Sequence, residues 1–161
     1  MDRIFRKGAC GALLDEYEQV IDTLKKVIRP IPDSELATII DPHTADDNCR
    51  SLQAILSHVV HAGYGYATSI HNLSGPAQTR PGKALHPQTA AYLDDLDHMF
   101  LFTQQVFRAI EDADLEQTDN QRKIMSGWGQ VYDIEQMMEH AIVHIMRHRR
   151  QIERLRQQKS G

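Results

Sequence analysis

Apolar positions recur every three or four residues in four stretches of the chain, and that period predicts four amphipathic helices. The first covers residues 11–29, where Leu13, Leu14, Tyr17, Val20, Ile21, Leu24, Val27 and Ile28 share one stripe. Pro30 and Pro32 stop it, since proline lacks the amide hydrogen a helix needs. The second begins at Asn48 or Ser51, either of which can cap a helix, and runs to Leu73. Leu52, Ile55, Leu56, Val59, Ala62 and Tyr66 form its stripe, and NLSGP closes it with Gly and Pro. The third covers residues 88–112, with Leu93, Leu96, Met99, Phe100, Thr103, Val106, Phe107 and Ile110 on its apolar side. The fourth starts at Asp133, with Gln136 at the capping-box position, and continues to about Gln157. No stretch alternates as a strand does. The pattern predicts an all-α four-helix bundle in one domain over residues 1–161.

The links carry information of their own. Between the first two helices lies IPDSELATIIDPHTADDNC, residues 31–49. Bundle links usually run about 2–8 residues, so a long one is a candidate lid. Asp33 or Ser34 can cap a short turn within it. AQTRPGKALHP joins the second helix to the third, and a loop with SGWG, residues 126–129, precedes the fourth.

Composition narrows the classes. The formal net charge is −4 and the pI about 6.1, which argues against a nucleic-acid binder. Two distant thiols, Cys10 and Cys49, make neither a zinc knuckle nor a disulfide framework, and read as reduced thiols of a cytoplasmic protein. The N-terminal stretch turns charged before an apolar run of signal length builds up, and no apolar run is long enough to span a membrane.

The chemistry concentrates in MMEHAIVHIMRHRRQIE, residues 137–153. His140, His144 and His148 stand four apart on the apolar side of the fourth helix. Two residues at that spacing differ by about 40° around the axis and about 6 Å along it, so two such imidazoles can hold one metal ion. The outer pair, about 12 Å apart along the axis, cannot share one ion. Either adjacent pair therefore needs a third ligand from elsewhere. The second helix offers His58 and His61, and His58 borders the Ile55/Val59/Ala62 stripe. Three nitrogens with an open position describe a catalytic zinc rather than a closed structural one. The competing reading is a hydrogen-bonded histidine ladder without metal. With nine histidines in the chain, such spacings also arise by chance.

Two segments resemble a known family. SLQAILSH, residues 51–58, is similar to the start of the second helix in the DinB/YfiT-like metal-binding bundles, where a cap is followed by apolar residues and a ligand His. HIMRHRRQI, residues 144–152, resembles that family's last helix, a His-x3-His pair followed by Gln and an apolar residue. Their order, their separation and the long first link also agree. The resemblance implies that His58, His144 and His148 ligate one divalent metal, and that Gln151 either holds a ligand or packs. It leaves His61 and His140 outside the triad. Arg150 departs from the small residue many members carry before that Gln.

Zinc suits three imidazoles best, with nickel, iron, manganese and cobalt as alternatives. The resemblance further implies thiol S-transfer with bacillithiol- or mycothiol-like cofactors, in which a thiolate made by the metal is the nucleophile. A metal-hydroxide hydrolase of small molecules is the second choice. No glutamate lies inside the His-x3-His pair, and neither Glu139 nor Glu153 is placed as a base, which argues against a peptidase. The rival class is a non-catalytic metal- or ligand-binding bundle acting as a structural homodimer. The expected partners are a small-molecule substrate and a second copy of the chain, with no nucleic acid and no membrane. Tyr64 and Tyr66 read as core or as substrate contacts. Trp128 reads as a pocket mouth or as a cap on the bundle end. Arg147, Arg149, Arg150, Arg154, Arg156 and Lys159 read as a solvated face that favours the helix dipole, or else as a carboxylate-recognition patch or a nucleic-acid contact, the last opposed by the acidic balance elsewhere.

Overall fold

The structure, a computed structural model, describes residues 4–159; the side chain of Lys159, last of the basic cluster, lies outside that description. Four long helices form the bundle: α1 (Gly8–Ile28), α3 (Leu52–His71), α4 (Thr89–Phe107) and α5 (Ile134–Lys159), with a one-turn helix α2 (Asp33–Leu36) in the first link. This is the predicted all-α architecture. Each long helix packs on two others: α1 and α3 both touch α4 and α5. The apolar stripes meet at the centre, where Tyr17, Leu24, Ile28, Ile55, Leu56, Leu96, Met99 and Ile152 are almost wholly buried. Among the described residues, no helix is long and apolar enough to cross a membrane.

Two helix ends and one loop depart most from the periodicity. α1 begins at Gly8 rather than Gly11. Its free amides at Ala9 and Cys10 donate to the Asp112 carboxylate, at 3.0 and 2.9 Å, a cap supplied from beyond the end of α4. Gly8 has φ +76°, and a β-carbon there would meet the same carboxylate at 2.4 Å, so glycine suits this start. α4 ends at Phe107 rather than near Asp112, because a capping box between Glu111 and Asp114 starts a separate 3-10 turn. The SGWG loop is the turn of a small antiparallel hairpin, β1 (Ile124–Met125) with β2 (Val131–Tyr132), which a period-2 reading misses because each strand has two residues.

Candidate metal centre

The contact between α3 and α5 makes the site. Of the two candidate caps, Ser51 is the one that starts α3: its hydroxyl accepts from the amide of Ala54 at 3.0 Å. Two turns on, His58 borders the fully buried Ile55 and Val59. α5 opens on the predicted capping box. Asp133 Oδ1 accepts from the Gln136 amide at 2.8 Å, and Gln136 Oε1 accepts from the Asp133 amide at 3.0 Å. The buried stripe of Met137, Met138, Ala141, Ile145 and Ile152 then fixes the rotation of α5, leaving His144 9% exposed between α5 and α3.

The structure brings His58, His144 and His148 together. His58 Nε2 and His148 Nε2 lie 3.0 and 3.1 Å from His144 Nε2, and all three donor atoms fall within 4.8 Å of one another. The three ring centroids are 4.5–5.1 Å apart and the rings meet edge to face. Burial is the main force on their protonation. It pushes His58 down to about 4 and His144 to about 3, with neighbouring imidazoles adding to both shifts. Burial also lowers His148, against the opposing pull of Gln151. All three rings are therefore neutral near pH 7.

Neutral rings cannot satisfy this geometry by themselves. His148 Nδ1 donates to Gln151 Oε1 at 2.9 Å, which leaves its Nε2 a bare lone pair. One hydrogen on His144 Nε2 can serve His148 or accommodate His58, not both. A cation among the three nitrogens removes the conflict. Zinc–imidazole bonds of about 2.0–2.1 Å in tetrahedral geometry place ligand nitrogens about 3.3 Å apart, close to the 3.0 and 3.1 Å that separate His144 Nε2 from its two neighbours. The donor set thus fits a divalent metal, and Gln151 orients one ligand from behind.

The other histidines lie outside the cluster. His61 Nδ1 faces the carbonyl of Pro81 at 3.1 Å, securing the loop after α3. His140 stacks on Trp128, with centroids 4.8 Å apart. Among the described residues, no cysteine or carboxylate joins the three nitrogens.

Two clefts flank the triad, and His58 and His144 line both. One, about 560 Å³, is walled by Tyr66, Trp128, Met137 and His140, with Arg80 at its side. Tyr66 is both core and wall: it is buried, yet its ring meets those of His144, His140 and Trp128. Trp128 lines this cleft, whereas Tyr64 packs on Phe102. The other cleft, about 690 Å³, is lined by His148, Gln151, Arg147, Arg150 and Arg154, and by Asp46 and Cys49 of the first link. The long link therefore contributes to the wall of this cleft. Asp46 and Cys49 had no signal in the sequence, because only the folded path of that link carries them to α5.

The model of the DinB family matches residues 5–158. The chain belongs to the DinB family, and the triad occupies the helices its motifs predict. No curated protein matches the chain.

Proposed function

We propose that this chain holds one divalent metal ion through His58, His144 and His148 and works as a metal-dependent enzyme on a small molecule. The observation that carries this reading is the convergence of three neutral Nε2 atoms beside open clefts. When bound, the ion supplies a positive charge that acidifies a thiol or water and polarises an oxygen. Zinc is our first choice, with nickel, iron, manganese or cobalt as alternatives.

The chain's residues support transfer of a thiol onto an electrophile more than they support a protein nucleophile. Burial pushes the Cys49 thiol above its ordinary value, which keeps it protonated and a poor nucleophile. Glu139 is exposed and lines neither cleft around the triad. The thiol substrate then brings its own sulfur, and Tyr66, Trp128 and His140 offer an aromatic wall for an apolar electrophile. Hydrolysis of a small molecule is the second reaction we consider. The non-catalytic homodimer needs a fourth protein ligand, and His61 and His140, its two candidates, are engaged elsewhere. Our reading takes the enzyme itself as a cytoplasmic homodimer, which sedimentation equilibrium tests.

Elemental analysis of protein purified without a histidine tag tests the proposal. We expect one equivalent of a divalent metal in the wild type and its loss in His144→Ala. Failure of the wild type to take up added zinc or nickel contradicts it.

A further inference from the structure

We infer that the cleft edged by Arg147, Arg150 and Arg154 receives the anionic end of the substrate, a small carboxylate-bearing molecule. This deepens the proposed function and rests on it for the chemistry at the triad. At 100° per residue, the three arginines form one band of α5 directly beside the band of His144, His148 and Gln151. All of these residues line the same cleft. All three arginines are exposed, at the rim of the cleft that His144 and His148 line.

Simpler accounts of these arginines fall short. The helix dipole favours cations only within the last turn, and α5 continues for three turns beyond Arg147 to Lys159. Surface pairing does not account for them either. Among the described residues none of the three makes an ion pair, although Arg149 pairs with Glu153 and Arg50 with Asp47. Like charges three and four apart on a helix repel one another, and an anion between them reverses that. General basicity is excluded by the net charge of −4. The one carboxylate in the cleft, Asp46, is occupied by its own turn: it accepts from the amide and side chain of Asn48 and from Cys49. Guanidinium forks match carboxylates in shape as well as charge, and a cleft of about 690 Å³ suits a small molecule.

Calorimetric titration at fixed ionic strength tests this, with succinate as the probe and succinamide as its neutral counterpart. Both go into the full chain in metal-free and cobalt-loaded forms, with the cobalt absorption spectrum recorded in parallel. We expect succinate to bind both forms, to perturb the cobalt spectrum, and to bind at least about tenfold more tightly than succinamide. Arg147→Gln combined with Arg150→Gln should remove most of that preference while cobalt uptake stays intact. Arg154→Gln alone should remove part of it, and serves if the double variant does not fold. Equal binding of the two probes, or full succinate affinity in the variants, overturns the inference. Failure of the wild type to take up cobalt instead overturns the proposed metal function, and the metal-free titration still judges the arginine cleft by itself.

Discussion

Between α1 and α4 the ring of Tyr17 meets Phe100 edge-on at 6.1 Å, its hydroxyl lies 4.0 Å from Met99 Sδ, and Lys25 pairs with Asp97 at the rim. Between α3 and α5 three imidazoles face one another, His144 buried and His58 and His148 partly so. The first seam closes with apolar volume and hides its charges at the edge. The second buries polar rings whose hydrogen bonds cannot all be met, with His144 Nδ1 also lacking a partner. Unsatisfied polar burial costs stability, and leucine at these positions would avoid the cost. Departures of this kind from good packing are where functional sites are expected.

The sharpest way to break the contrast is to damage the apolar seam. Leu96→Ala should lower unfolding free energy by about 2–5 kcal/mol in denaturant titration, yet leave metal stoichiometry unchanged in the folded protein. Loss of metal from that variant while it is still folded would mean that the two seams are not separable.

A smaller effect is expected from Gln151→Leu, which removes the acceptor behind His148 and keeps the volume. Metal affinity should fall by about 10–100-fold in competition with a chelator, with little change in thermal midpoint. Unchanged affinity would reduce Gln151 to a packing residue.

The last effect is one of pH on the metal-free protein. Burial holds His58 at about 4 and His144 at about 3 in the folded state, against about 6.5 when unfolded. Between those values the unfolded chain binds more protons, so stability rises with pH. It is complete above about 6.5 and falls as the pH drops toward 4. The thermal midpoint should decline from pH 7 to pH 5, and His144→Leu should flatten that decline. Leu96→Ala should shift the curve without changing its slope.

Much of the histidine seam was legible in the sequence because its determinants are local. Ser51 and the Asp133/Gln136 box announce the helix starts, the stripes set the rotation, and the i, i+4 spacing aligns His144 with His148. The choice of that pair over His140/His144 was not local. It depends on where α5 docks along α3, and only the likeness of the two motifs to DinB/YfiT-like bundles pointed to it. The start of α1 was hidden for the same reason, since Asp112 caps it from about a hundred residues away. The arginines showed the opposite difficulty. Their charges were plain, but only the fold shows that they share a cleft with the triad and with Asp46 and Cys49 of the first link.

The most direct test of the central claim is X-ray absorption at the metal edge of the zinc-loaded protein. The account predicts a first shell of three imidazole nitrogens at about 2.0–2.1 Å plus light exchangeable ligands, with no sulfur. A fourth protein ligand, whether a further imidazole or the sulfur of Cys49, would describe a closed structural site and contradict it.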